Sequence, residues 1–220
     1  MFKNKKTAAI GIIGLGRFGM ALAKRLCELG KEVLVIDQSE SKVKELRSYT
    51  QYAFVADELT KEVLEEAGIQ NCEVVVVCIG EKIDVSILTT LNVVSLGVPK
   101  VIAKAISYEQ GCVLEKIGAE VVYPERDMAL RVAKKIVAHN VLDYISLNND
   151  VELSEIKVNE KLIGKTVSEA DMRKQYGLNI IAIGMDGEIE TDIEPNYTFK
   201  DKDVIVVVGK KENISAFEMD

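Results

Sequence analysis

The 220 residues carry 35 acidic and 28 basic side chains, a formal net charge of −7, which excludes a surface built to neutralise nucleic-acid phosphates or to lie on anionic lipid. With 48% apolar and 29% charged residues the chain has ordinary globular composition, and its length suits one or two compact domains. Four cysteines without a CxxC pair (Cys27, Cys72, Cys78 and Cys112) and one histidine, His139, point to reduced, structural thiols rather than disulfides or structural zinc.

The opening segment sets basic residues before an apolar run, but glycines break that run at once, so it reads as a first strand and not as a leader. From Ala8 to Tyr123, β-branched runs alternate with helical patterns, the order of a doubly wound parallel sheet. Strands are expected at Ala8 to Ile13, Glu32 to Ile36, Ala53 to Ala56, Val74 to Ile79, Val101 to Ala105 and Glu120 to Tyr123. The run Val74-Val75-Val76-Val77 lacks in-and-out alternation, as a central strand covered on both faces should. At six residues, Val74 to Ile79 is also the longest apolar stretch, far below the roughly 20 that span a bilayer, so a membrane role would have to come through a partner.

Helices are expected at Gly16 to Leu29, Ser41 to Tyr49, Thr60 to Ala67, Asp84 to Leu96 and Glu109 to Ile117, several closed by glycine. Pro124 opens an amphipathic helix to about Asn140, and the apolar residues Val141, Leu142, Tyr144 and Ile145 extend that surface, which suggests a linker and dimerisation element. After Asn148-Asn149-Asp150, strands at Val151 to Val158, Leu178 to Gly184 and Val204 to Gly209, an Asp186-Gly187 turn, a helix over Ser168 to Gln175 and a last helix from Lys211 form a small α+β domain. The expected division is therefore 1–123, 124–148 and 149–220.

Chemistry concentrates at Gly14-Leu15-Gly16-Arg17-Phe18-Gly19, which follows a strand and opens a helix: a tight turn, close backbone approach to phosphate and close helix packing each call for a glycine. Asp37 ends the second strand about 20 residues on, where a carboxylate accepts ribose hydroxyls and repels a 2′-phosphate, which disfavours NADP. Arg17 opposes the helix dipole, so an anion such as a bound phosphate should compensate it; a solvated arginine is the plainer reading. Asp57 and Glu81 lie at the carboxyl edge of the sheet, Asp57 within reach of an adenine and Glu81 in solvent. Lys104 reads either as a phosphate counter-charge or as a snorkelling lysine. Glu125 and Asp127, after Pro124, are expected on dipole grounds alone. No Ser/His/Asp set, general base or substrate domain of catalytic size accompanies the nucleotide fold, so the chain is not expected to be an enzyme.

GLGRFG at Gly14 to Gly19, VIDQSESKV at Val35 to Val43, VVVCIGEKIDVSILTTL at Val75 to Leu91, VLEKIGAEVVYPERDMA at Val113 to Ala129 and NVLDYISL at Asn140 to Leu147 together resemble the cytosolic regulator-of-potassium-conductance (RCK) proteins of the TrkA/KtrA/KtrC type. The resemblance covers nearly the whole chain. It implies a homodimer assembling into a ring, of octamer size, on the cytoplasmic face of a KtrB- or TrkH-like potassium channel subunit, reshaped by ATP, ADP or NAD(H). It implies that Gly16, Arg17, Asp37, Asp57 and Lys104 contact nucleotide and that Glu125 faces the γ-phosphate with a magnesium or sodium ion. The second domain resembles the RCK C-terminal module that in related proteins binds cyclic di-AMP; Arg173, Asn179, Ile180 and Pro195 occupy the matching positions. A small NAD-dependent oxidoreductase or redox sensor is the alternative on the same nucleotide fold.

Overall fold

The computed structural model describes residues 9–137, 141–148, 150–185 and 188–219, which fall into two compact units, 1–128 and 129–220. In the first unit six parallel strands stand in the order β3-β2-β1-β4-β5-β6: β1 Ile10–Ile13, β2 Val33–Asp37, β3 Tyr52–Val55, β4 Val74–Val77, β5 Lys100–Lys104 and β6 Glu120–Val122. Helices α1 Arg17–Glu28, α2 Glu40–Leu46, α3 Lys61–Ala67, α4 Ile83–Ser95 and α5 Tyr108–Ile117 alternate with them, and a 3-10 turn at Ile69–Asn71 leads into β4. Successive strand residues feed two cores. Ile12, Val35 and Val76 pack on one face, while Ile13, Ile36, Val75 and Val77 pack on the other. A sheet buried on both sides explains the unbroken valine run of β4.

The helix from Pro124 is α6, Pro124–Val137. Its continuation is not helical. Residues Val141–Ser146 form β7, paired antiparallel with β8 Val151–Lys157 through Ile145↔Leu153 and Ser146↔Glu152, which corrects the expectation of a helical linker over 124–148. Six residues with a β-branched and aromatic alternation suit a strand as well as a helix face, and the turn at Asn148 decides between them. The Asn148 side-chain oxygen accepts from the amides of Asp150 and Val151 at 2.8 and 2.7 Å, closing the hairpin.

The second unit is a five-stranded antiparallel sheet in the order β10-β9-β11-β8-β7, completed by β9 Asn179–Met185, β10 Glu188–Glu190 and β11 Val204–Lys210. The expected helix over Ser168–Gln175 is two short ones, α7 Val167–Ala170 and α8 Met172–Gln175, because Asp171 takes a left-handed backbone with φ 38° and ends the first. Helix α9, Lys211–Met219, closes the unit with Ile214 and Phe217 in its core. The Asp186-Gly187 turn and His139 lie outside the described residues.

Candidate functional site

The strand order reverses at β1, whose neighbours are β2 and β4, and ligands of open α/β sheets bind in the crevice outside the carboxyl ends of the strands at such a point. The crevice here is a cleft of ≈ 610 Å³. Pockets of this size suit a nucleotide-sized ligand.

Its floor is the β1–α1 turn, where the glycines divide by what they must avoid. Gly14 has φ +96°, a left-handed backbone that disfavours any side chain, and its amide donates to the Ile36 carbonyl at 2.8 Å. A methyl on Gly19 would run into the Gly14 carbonyl oxygen, so this glycine lets α1 close on the turn. Gly16 differs from both. Its backbone is unstrained, φ −68°, and a methyl there meets no protein atom within 4 Å. Neither strain nor packing explains a glycine at this position; the open space in front of it does, since a ligand could approach the backbone there. Gly16 caps α1 without a side-chain hydrogen bond, and no acid lies in the first turn, so the first amides of α1 remain available to an anion.

Asp37 closes the second side. Only 9% exposed, its carboxylate accepts from the Leu15 amide at 2.5 Å and the Ser39 amide at 2.8 Å, with the Lys42 amine 3.9 Å away. Those amides fix the carboxylate against the glycine turn. Beyond it the β3–α3 loop contributes Asp57, Glu58 and Leu59, and Asn92 of α4 ties that loop down by donating to the Leu59 carbonyl at 3.0 Å.

The third side holds an ion pair. Lys104, at the end of β5 and with its side chain only 12% exposed, meets the Glu125 carboxylate of α6 at 2.5 Å. The hydrogen bond from Lys104 holds the Glu125 carboxyl below the usual carboxylate range, and the positive charges of Lys104 and Arg17 add to that effect. Cys78, which follows β4 on the cleft wall, is pushed up to about 12 by burial.

Of the residues singled out in sequence, Gly14, Gly16, Arg17, Phe18, Asp37, Asp57, Lys104 and Glu125 all line this one cleft, and Gly19 lies just behind it. Glu81 lines it too. Sequence reasoning passed over Lys42, Cys78, Gly80, Thr89 and Asn92; the strand-order rule flags the residues after β4, whereas nothing local flags Asn92. Among the described residues no group of three or more His, Cys, Asp or Glu could hold a metal ion. Glu125, already engaged by Lys104, suits a cation only as the companion of a bound phosphate, which would supply most of its ligands.

In the second unit, Arg173 is exposed on α8, Asn179 is exposed at the start of β9, and Ile180 is half-buried against the core. Pro195 is exposed, and its carbonyl accepts from the Ser168 amide at 2.9 Å.

A TrkA-N domain model matches residues 10–124 and a TrkA-C domain model matches residues 151–219. The Ktr system potassium uptake protein C of Bacillus subtilis is 42% identical over 208 residues, covering 94% of each chain. The Ktr system potassium uptake protein A of the same organism is 38% identical over 217 residues, covering 98% of this chain and 96% of its own. A solved GsuK channel bound to NAD aligns with 99% of this chain at TM-score 0.66 and 18% identity, a likeness of fold in which the chain spans 40% of the channel polypeptide. A glycine turn and acid at the switch point of the first unit, a TrkA-C match over most of the second and near-full-length similarity to two Ktr proteins converge, and the chain belongs to the TrkA/Ktr family of RCK-domain potassium-uptake proteins.

Proposed function

We propose that this chain is a cytoplasmic, nucleotide-sensing regulatory subunit that gates a potassium channel subunit of the KtrB or TrkH kind in the membrane. The observation that carries the reading is Gly16, an unstrained glycine with open space before its backbone, in the same cleft as Asp37 for a ribose and Lys104, Arg17 and free helix amides for phosphates. ATP and ADP fit this arrangement, as does NAD(H). A magnesium or sodium ion would accompany the γ-phosphate at Glu125. The Bacillus subtilis relatives are potassium uptake proteins by name, which supports a regulatory rather than a catalytic role. No helix among the described residues is long and apolar enough to cross a membrane, in keeping with action through a partner. On α6, Met128, Leu130, Val132 and Ile136 are 46 to 77% exposed, a surface that supports assembly as a homodimer and then a ring, with an octamer as the expected size. Cyclic di-AMP is the proposed second ligand, at Arg173, Asn179, Ile180 and Pro195. The thiol of Cys78, pushed up to about 12, would not form a reactive thiolate, which disfavours a redox sensor on this fold.

The test is calorimetric titration of the purified chain with ATP, ADP, NADH and cyclic di-AMP, followed by potassium flux with the channel subunit reconstituted. Arg17→Ala and Glu125→Gln should still bind ADP but lose ATP-specific activation of flux. Absence of nucleotide binding, or full ATP-over-ADP activation in both variants, overturns the proposal.

A further inference from the structure

Lys104 is poorly placed for solvent and well placed for an anion. Its side chain is 12% exposed, it stands at the carboxyl end of a central strand, and it faces a cleft whose opposite wall offers the unbonded amides of α1. The protein supplies an anion of its own there: the Glu125 carboxylate accepts from the Lys104 amine at 2.5 Å. Glu125 itself is 60% exposed, so nothing in the packing forces it into the cleft. It is drawn there by charge. A lysine whose side chain is only 12% exposed at a strand end loses solvation that one carboxylate repays.

We infer that Glu125 acts as an internal competitor for the phosphate subsite, and that it sets which ligands the cleft accepts by requiring them to displace it from Lys104. The inference rests on the nucleotide reading above and adds to it. A carboxylate and a phosphate oxygen are both anionic acceptors for the same ammonium group, and with the Lys104 side chain only 12% exposed the two compete for its restricted approach from the cleft. A ligand bearing a single remote charge, or none, gains too little from Lys104 to expel the carboxylate. A polyphosphate also gains the helix amides and Arg17, and can expel it. Glu125, which already stands in the first turn of α6, then turns from Lys104 toward the helix amides, or with ATP toward the cation at the γ-phosphate. Helix α6 begins in the first unit and ends in the second, so the exchange acts on the segment that joins them.

The expectation is unusual for a residue lining a binding site: removing its charge should tighten binding. Glu125→Gln should raise ADP affinity about tenfold, the worth of one charge-assisted hydrogen bond partly screened by solvent. It should leave adenosine affinity unchanged, because adenosine has no phosphate to place on Lys104. Lys104→Gln should weaken ADP binding, and in the Lys104→Gln background the Glu125→Gln gain should vanish, closing a double-mutant cycle. Calorimetric titration of ADP and adenosine into the parent, both single variants and the double variant reads all of this, with thermal unfolding to confirm that each variant folds. Unchanged or weaker ADP binding by Glu125→Gln overturns the inference, as does a gain that persists without Lys104 or extends equally to adenosine. If the parent binds ADP normally while the cycle shows no coupling, only this inference falls. If the parent binds neither ligand, the nucleotide reading falls and takes the inference with it.

Discussion

Gly16→Ala separates the chemistry of the cleft from the stability of the fold, because the structure gives the added methyl no protein neighbour within 4 Å and the backbone there has φ −68°. A compatible glycine-to-alanine change restricts the unfolded chain by about 0.4–1 kcal/mol, and the poorer N-cap that alanine makes on α1 offsets a gain of that size, so folding stability should stay close to the parent's. The same methyl occupies the space through which a phosphate reaches the α1 amides. Losing two hydrogen bonds to a charged group, each worth about 1.5–3 kcal/mol, should weaken ADP binding by at least about 3 kcal/mol, more than a hundredfold. Gly19→Ala is the internal contrast, since its methyl would run into the Gly14 carbonyl oxygen and should destabilise the fold itself. Urea unfolding without ligand and calorimetric titration with ADP measure the two effects independently. A Gly16→Ala chain that binds ADP as tightly as the parent would show that the glycine turn is not the phosphate cradle, and one destabilised by more than about 2 kcal/mol, beyond the loss of an N-cap, would show that Gly16 serves the fold after all.

Asp37→Ala strips an acceptor from the amides of Leu15 and Ser39 and should cost about 2–4 kcal/mol of stability by urea unfolding, together with adenosine affinity; an unchanged midpoint would mean water replaces the carboxylate freely. In the second unit, burial first and the 2.7 Å hydrogen bond to Asp203 second push the Tyr197 phenol up to about 12, so the folded chain keeps this proton where the unfolded chain has lost it. The stability so contributed is complete below the ordinary phenol value of about 10 and is lost as pH rises toward about 12. Tyr197→Phe should remove that part of the alkaline loss in urea midpoints, and an identical pH profile would refute the assignment.

How legible these features are in sequence follows from how local their causes are. The turn from Gly14 to Gly19 and the acid at Asp37 follow one fixed spacing, and six strands follow from apolar runs separated by helical patterns, several of them closed by glycine. Residues 141–146 are different: the spacing of Val141, Leu142, Tyr144 and Ile145 suits a helix and a strand alike, and the pairing of Ser146 with Glu152 that settles it is a tertiary fact. Likewise nothing in the run from Ser168 to Gln175 announces the left-handed Asp171 that breaks it. Lys104 and Glu125 were each visible as candidates, but their 2.5 Å contact depends on how β5 and the start of α6 meet across 21 residues of chain. The Asn92 tether to Leu59 spans 33 residues and leaves no local trace at all.

The cleft carries both signs of charge, with four basic and five acidic side chains on its lining, so like the whole chain it offers no net positive field. A chain of net charge −7 repels a polyphosphate at long range, so recognition has to be built from short-range donors. The fold supplies them by converging parts that are remote in sequence: unbonded amides at the start of α1, Arg17 beside them, Lys42 near Asp37 and Lys104 at the end of β5. Two of those cations face a carboxylate of the protein itself, Lys42 toward Asp37 and Lys104 toward Glu125. The two carboxylates are not equivalent. Asp37 is 9% exposed and held by two backbone amides, so it stays in place and can only serve as an acceptor. Glu125 is 60% exposed and held by the lysine, so it can leave. On the nucleotide reading proposed above, one end of the cleft would serve as a fixed acceptor for sugar hydroxyls and the other as an exchangeable site for phosphate, the two groups that a nucleotide carries together.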